Sequence, residues 1–540
     1  MSEVTGVAVQ TPAGRAEPNP GPVRPVARMG DWIRLGAQRG ADRPAVLRDD
    51  GSTVTFGELE SRANRLARTL RAQGVDRGDR VAILAMDGSG YLETVFACLK
   101  LGAVYVPLNY RLRAGELRTL LDRAGAGVLM VDRRYAPIVA EIRAELPALR
   151  LVACFDGPCD GADVAHEDLV AAGADVDPGV PVRDDEIVAL AFTSGTTGLP
   201  KGVLQSQGML KAMVAGRHQQ YDLQDHDVRY GSSPMFHIAG QMMLYGHVMR
   251  GIPSVVLPKF DADTVLRWLG GGRVTAAFLV PTMISALLDH PRIAEADFTA
   301  LRTILYGSAP MSPALLRRAS DRFACDFVNA FGAGTEAGLQ TVLTVTDHRR
   351  ALAGDEHLLG SIGRAAVGVE LRVVDDDGRD VADGEVGQIV TRSDTLMSGY
   401  LDMPEETAAA FRDGWFWGGD LARRDAEGYL YLGGRAKDMI IRGGENVYPV
   451  EIESVLAAHP AVANCAVVGR PDDHWGEIVV AFVERRPGTT VGADELRAHC
   501  RSALASYKVP VEFRFEDMPR NASGKILKRS LRERLGEVRV

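Results

Sequence analysis

The sequence predicts an α/β protein: a large N-terminal domain of two α/β sheet subdomains plus a small β-barrel, followed by a small α+β C-terminal domain. Three features predict this. Helical and strand patterns alternate over about 55–131 and again over about 187–330. Short β-like runs separated by Gly and Asp take over after about 360. The last stretch, from about 437, alternates helix and strand once more. Such alternation implies parallel sheets covered by helices, and short runs broken by turn residues imply an antiparallel sheet or barrel.

The elements follow in order. Residues 1–27 are rich in Pro, Gly, Ala and Val without a compact apolar run, so they read as a disordered tail and not as a signal peptide. Apolar spacing predicts helices over 59–73 and 91–101, and strands over 80–84 and 103–107. In the second block, strands are expected at 187–192, 254–257 and 276–280, with a helix at 262–269. The runs 369–374 and 387–391 belong to the small antiparallel sheet or barrel. The texture changes again near 433–438, which puts the domain boundary between 28–436 and 437–540.

Composition narrows the function. A chain of 540 residues exceeds one hydrophobic core. A net charge of −9 argues against a nucleic-acid surface, because phosphate backbones call for clustered basic residues. It leaves ATP open, since local donors outweigh a distributed field. The six cysteines are scattered, with no spacing for a metal cluster, so reduced thiols and a cytoplasmic location are expected. No apolar run approaches about 18 residues, so no integral membrane contact is expected.

Residues 193–202 read Thr193-Ser194-Gly195-Thr196-Thr197-Gly198-Leu199-Pro200-Lys201-Gly202. Glycines let backbone N–H groups converge on one point, hydroxyls add donors and Lys201 adds charge. A polyphosphate cradle is the natural reading; a flexible loop without a ligand is the alternative. This is not the common P-loop, which needs Gly-Lys followed by Ser or Thr and an immediate helix. Pro200 biases Leu199 away from helix, so the unit reads as strand–loop–strand.

This stretch resembles the signature loop of the adenylate-forming superfamily: acyl-CoA synthetases, luciferases and peptide-synthetase adenylation domains. The resemblance runs from about residue 55 to 528 and is strongest to the acyl-CoA synthetases. It implies a large N-terminal part, a hinge and a small mobile C-terminal lid. It also implies ATP, Mg²⁺ and CoA as cofactors, CoA being the acyl acceptor. The segment 329–338 (Asn329, Ala330, Phe331, Gly332, Ala333, Gly334, Thr335, Glu336, Ala337, Gly338) is similar to the family's aromatic-Gly-x-Thr-Glu motif. There the aromatic residue stacks on adenine and the Glu, here Glu336, helps to hold the metal. Ala333 and Gly334 stand where one residue is usual.

The resemblance implies further roles. Tyr306, Gly307, Ser308, Ala309 and Pro310 line the adenine and acyl pockets, with Tyr306 a core aromatic in the alternative reading. Asp420 binds both ribose hydroxyls, Arg435 is the second ribose contact and Lys437 is the hinge. Lys525 is the lid lysine that reaches the carboxylate and α-phosphate during adenylation. Gly443 and Gly444 line the passage for the pantetheine arm. His237 lies beside the reacting carboxylate, where amino-acid-activating relatives carry Asp, so an acid without an α-amine is favoured. Candidate catalytic residues are therefore Thr193, Lys201, His237, Glu336 and Lys525. The candidate acid pocket comprises His237, Ala239, Gly240, Met242, Met243, Tyr306, Gly307, Gly332, Ala333 and Gly338. These residues are mostly small or apolar, which suits an aliphatic or aromatic acid, and no fixed charge among them meets a second carboxylate.

The activity these readings imply is an ATP-dependent acid–CoA ligase. It adenylates a small-molecule carboxylic acid, releases pyrophosphate and transfers the acyl group to CoA. An acyl carrier protein is the alternative acceptor, and an unusual acid activated without CoA the alternative chemistry. A nucleotide-binding protein without catalysis is the third reading.

Overall fold

The computed structural model describes residues 28–193, 200–221, 223–231, 234–309, 311–435, 438–442, 445–472, 474–520 and 526–536 (backbone only at His218 and Gln219). The expected N-terminal tail, 1–27, lies outside them, as do Ser194, Gly195, Thr196, Thr197, Gly198, Pro310, Lys437, Gly443, Gly444 and Lys525.

Two large sheets form the N-terminal body. One has eight strands, ordered Gly399–Tyr400, Lys201–Ser206, Ile187–Thr193, Val104–Pro107, Arg80–Leu84, Val128–Val131, Leu151–Cys154 and Val164–Ala165. The other has nine, running from Arg364–Ala365 through Thr341–Leu343, Asp326–Phe331, Thr303–Gly307, Ala276–Leu279, Arg229–Gly231 and Ser254–Val255 to Pro44–Leu47 and Thr53–Thr55. The sheets do not divide where the two sequence blocks divide. The Ile187–Thr193 strand joins the first sheet through Tyr105 opposite Ala189, and the N-terminal Pro44–Leu47 strand joins the second through Val46 opposite Ser254. Period-two patterning identifies a strand without naming its neighbour.

Between these sheets lies the Ser89–Leu101 helix, in which every residue from Tyr91 to Leu101 is buried. A helix buried all round is a core helix, and its two charges, Glu93 and Lys100, are paired with Arg62 and Glu60. The Phe56–Ala72 helix begins at a capping box, in which Thr55 Oγ1 accepts from the Glu58 N–H and the Glu58 carboxylate accepts from the Thr55 N–H. The expected barrel is a five-stranded antiparallel sheet built on Glu370–Val374, Val386–Arg392 and Trp415–Arg424, with no strand pairing that closes it among the described residues.

The C-terminal unit has its own sheet, ordered Glu445–Val447, Ile440–Arg442, Gly476–Arg485 and Val462–Asp472, with Glu512–Phe515 parallel to Gly476–Arg485. The Pro449–Ala457, Ala493–Ala503 and Lys528–Arg534 helices accompany it. Ile440, Val467, Val479, Val483 and Leu496 form its apolar core.

One expectation is corrected. Cys154 and Cys159 are joined as a disulfide, because the turn after the Leu151–Cys154 strand brings their Cα atoms to 6.4 Å, within bridging reach. Cys98, Cys325, Cys465 and Cys500 are free thiols. Among the described residues no helix is long and apolar enough to cross a membrane.

Candidate active site

The strand–loop–strand unit is present. Ile187–Thr193 and Lys201–Ser206 pair antiparallel, and their last pair, Thr193 opposite Lys201, brackets the glycine-rich loop. Thr193 Oγ1 donates to the Lys201 carbonyl at 3.5 Å, and Arg123 Nη1 donates to the Pro200 carbonyl at 2.6 Å, so both ends of the loop are anchored. Lys201 Nζ stands 4.7 Å from the centroid of the Tyr400 ring, a cation–π contact that fixes the ammonium. Tyr400 was not singled out from the sequence. Its strand, Gly399–Tyr400, is brought here by pairing with Lys201–Ser206.

Glu336 lies on the one-turn Gly334–Ala337 helix that follows the Asp326–Phe331 strand. Three side-by-side carbonyls of this turn are held from three directions. Gln205 Nε2 donates to Thr335 O at 3.0 Å, the Met397 N–H to Glu336 O at 2.7 Å and Thr395 Oγ1 to Ala337 O at 2.8 Å. Burial pushes the Glu336 carboxyl above the usual carboxylate range, and Asp420 pushes the same way. The Arg435 guanidinium and the Thr193 hydroxyl oppose that shift. Burial also raises the Tyr400 phenol, with the Glu336 charge adding to the effect.

Asp420 and Arg435 face each other across the Trp415–Arg424 and Leu430–Arg435 strands, with Arg435 Nε donating to Asp420 Oδ1 at 2.9 Å. No hydrogen bond reaches Asp420 Oδ2 among the described residues. Thr193, Lys201, Glu336, Asp420 and Arg435 are thus gathered around the two ends of the loop, although they span residues 193 to 435.

Close approach dictates the small residues. Gly307 pairs with Ala330, and a Cβ at 307 would stand 2.4 Å from the Ala330 carbonyl. A Cβ at Gly332 would stand 2.1 Å from the Gly338 carbonyl. Ser308 and Ala309 emerge exposed at the strand end, and Ser308 has φ 65°, a left-handed conformation that costs a non-glycine residue about 1 kcal/mol. Asn329 Oδ1 is buried without a hydrogen-bond partner, while Nδ2 reaches the Tyr306 carbonyl at 3.5 Å. The half-buried Phe331 packs on the barrel-side cluster of Ile362, Val373 and Ile389. The extra residue is absorbed where the Gly334–Ala337 turn begins: Ala333 packs on the main core, and Gly334 lies so close to Ile238 that a Cβ would meet Ile238 Cγ2 at 2.8 Å.

His237 is the N-cap of the Ile238–Arg250 helix, and its Nδ1 accepts from the Ala239 N–H at 3.3 Å. Two of the expected pocket residues pack in cores. Tyr306 is buried, and its hydroxyl hydrogen-bonds His348 Nε2 at 2.9 Å, which agrees with its alternative reading as a core aromatic. Met242 belongs to the core containing Met235 and Ile238, whereas Ala239 and Met243, one turn apart on the neighbouring stripe of the helix, pack with Phe278, Leu305 and Leu339. Gly240 is buried on the same helix, and Gly338 closes the turn after Ala337. Asp87 was missed from the sequence. Its carboxylate accepts from the Met235 N–H at 2.8 Å, two residues before His237, and burial pushes it up to about 8.

The C-terminal unit carries the flanks of the remaining candidates. Arg520 and Ile526 form an antiparallel bridge on either side of 521–525. Arg532 Nη2 donates to Asp438 Oδ1 at 2.7 Å, tying the terminal helix to the residue after Lys437. Arg442 Nη1 donates to the Tyr507 carbonyl at 2.7 Å, next to Gly443.

A sequence model of the AMP-binding enzyme matches residues 33–401, and one of the AMP-binding enzyme C-terminal domain matches residues 451–525. The chain belongs to this family. It is similar to the feruloyl-CoA synthase of Amycolatopsis sp, 40% identical over 94% of this chain and 99% of the relative. It is similar to the fatty acid–[acyl-carrier-protein] ligase ScoC of Streptomyces coeruleorubidus, 35% identical over 92% of this chain and 94% of the relative. Among solved structures it resembles the anthranilate CoA ligase AuaEII in complex with anthranoyl-AMP, with a TM-score of 0.87, 28% identity, and coverage of 94% of this chain and 97% of that one. The family match thus spans both the glycine loop and the C-terminal unit.

Proposed function

We propose that the chain is an ATP-dependent acid–CoA ligase that works in the cytoplasm on an aliphatic or aromatic acid. One observation above all supports the reading: Thr193, Lys201, Glu336, Asp420 and Arg435 converge on the ends of a glycine-rich loop. Asp420 takes the ribose hydroxyls with its free Oδ2, and Arg435 holds that carboxylate in place. The unpartnered Asn329 amide oxygen accepts from the adenine amino group. The glycine-loop N–H groups and Lys201 hold the phosphates.

Mg²⁺ fits this donor set. Glu336 offers one hard oxygen ligand on a pinned turn, and no group of three or more His, Cys, Asp or Glu forms a cage among the described residues. When bound, the ion neutralises phosphate charge. The acid's carboxylate oxygen, set beside His237, attacks the α-phosphorus, and pyrophosphate leaves. Lys525, carried by the C-terminal unit, neutralises charge on the α-phosphate during this step only. That unit, 437–540, then turns about Lys437 and presents Gly443 and Gly444 along the pantetheine arm. The thiol attacks the acyl carbonyl, and AMP leaves.

Loading of a carrier-protein thiol is the second reading, favoured by the likeness to ScoC. The deciding experiment is acid-dependent pyrophosphate exchange over a panel of acids, followed by a comparison of CoA with a phosphopantetheinylated carrier as acceptor. Exchange with transfer to CoA supports the ligase; transfer to the carrier alone supports the second reading. Absence of exchange with every acid overturns both.

A further inference from the structure

The apolar stripe of Ala239 and Met243 ends on two cations that no carboxylate among the described residues pairs with. Arg229 begins the Arg229–Gly231 strand inside the nine-stranded sheet, is 5% exposed, and directs Nη2 at Met243 Sδ, 2.7 Å away. Arg217 lies on the Gln207–Gln220 helix, and its Nε and Nη1 are shut from solvent with no hydrogen-bond partner. The buried Tyr221 lies one turn on from Arg217, its N–H donating to the Arg217 carbonyl at 3.1 Å, and its hydroxyl sits in the field of both guanidiniums.

Two further ionisable groups nearby are already engaged. Asp227 lies in the field of Arg229, but its Oδ1 accepts from Thr275 and its Oδ2 from Arg302 Nη2 and the Gln224 N–H, each at 2.7 Å. His247 sets Nδ1 against the Met243 carbonyl at 3.2 Å, and burial holds it neutral, with its pKa down to about 3. No carboxylate among the described residues pairs with Arg217 or Arg229. Burying charge without compensation is expensive, so the buried Arg229 guanidinium beside the partly buried one of Arg217 asks for an anion. Ala330, which pairs with Gly307, packs on the cluster containing Tyr221, Met243, Phe278 and Leu339. Between His237 and Met243 the helix rises about 9 Å at 1.5 Å per residue.

We infer that Arg217 and Arg229, with Tyr221, form a receptor for a second carboxylate at the far end of the acid, making dicarboxylic acids of intermediate length the substrate class. The inference rests on the acid–CoA ligase reading. It reverses the expectation from the sequence that no fixed charge meets a second carboxylate. A charge-assisted pair at a desolvated site is worth about ten- to a hundredfold in affinity.

The test measures kcat/KM for pyrophosphate exchange with adipate, suberate and sebacate, each against its matched monoacid: hexanoate, octanoate or decanoate. The quantity read is the diacid-to-monoacid ratio within each protein, which cancels any loss that both acids share. The wild-type ratio is expected to exceed about ten for at least one pair. Arg229→Met and Arg217→Met are each expected to cut it at least about tenfold, and Arg229→Lys to restore part of it. Exchange with monoacids and a wild-type ratio at or below one in every pair overturns the receptor while leaving the ligase reading intact. A diacid preference that survives both Met variants overturns it as well. No exchange with any acid overturns the ligase reading and this inference together.

Discussion

Replacing Asp420 with alanine tests how the site holds nucleotide. In the structure Asp420 is nearly buried, its Oδ1 is shared with Arg435 Nε at 2.9 Å and its Oδ2 carries no hydrogen bond among the described residues. A carboxylate in that state has one full acceptor and part of another to offer a ribose diol. Each charge-assisted hydrogen bond contributes about 1.5–3 kcal/mol, so losing one to two of them costs about 2–4 kcal/mol, or roughly thirty- to a thousandfold in affinity. The fold loses little, because an ion pair in which Arg435 stays about a third exposed is worth at most about 1 kcal/mol. Calorimetric Kd for ATP and the KM for ATP in pyrophosphate exchange are the assays, with thermal unfolding as the check on folding. Asp420→Asn, which keeps one acceptor oxygen, falls between the two. An Asp420→Ala protein that binds ATP within about threefold of wild type refutes the ribose assignment.

Two further predictions concern the lid and the core. Lys525→Ala loses adenylation by about a hundredfold or more, while thioester formation from a supplied acyl-adenylate survives; equal damage to both half-reactions removes Lys525 from the adenylation step. His348 is held neutral in the core: its Nδ1 faces the Thr344 carbonyl at 2.8 Å, its Nε2 meets the Tyr306 hydroxyl at 2.9 Å, and burial pushes its pKa down to about 4. Between pH 6.5 and about 4 the unfolded chain therefore binds the extra proton, and stability falls as pH falls through that window. The loss from this one group is about 3 kcal/mol. The difference in unfolding free energy between wild type and His348→Gln, measured by urea titration, is expected to change by that amount across the window. A difference that stays constant with pH contradicts a neutral buried imidazole.

How much of this was legible in the sequence differs from element to element. The strand at 80–84 and the helix at 262–269 stand where apolar periodicity puts them, because each is long enough to show its period and is bounded by turn residues. Sheet membership was not legible. The Ile187–Thr193 strand pairs with Val104–Pro107, more than eighty positions earlier, and nothing local to either segment encodes that choice. Motif residues such as Thr193, Lys201, Glu336, Asp420 and Arg435 could be found because their neighbours form recognisable strings, and the fold gathers them. Arg217, Arg229, Asp87 and Tyr400 could not. A single charged or aromatic residue in a helix or strand reads as a surface or core position until the fold shows what it faces. Tyr306 illustrates the converse: its place in a motif-like string suggested the pocket, but its hydroxyl is taken by His348 on a later helix.

The most direct test of the adenylate route is oxygen transfer from the acid. A turnover with the carboxylate labelled in both oxygens by ¹⁸O, in unlabelled water with ATP, Mg²⁺ and CoA, is analysed by mass spectrometry of the nucleotide product. Attack of the carboxylate on the α-phosphorus followed by thiolysis of the acyl carbonyl predicts AMP carrying one ¹⁸O and pyrophosphate carrying none. Unlabelled AMP, or label in ADP, phosphate or pyrophosphate, contradicts the account.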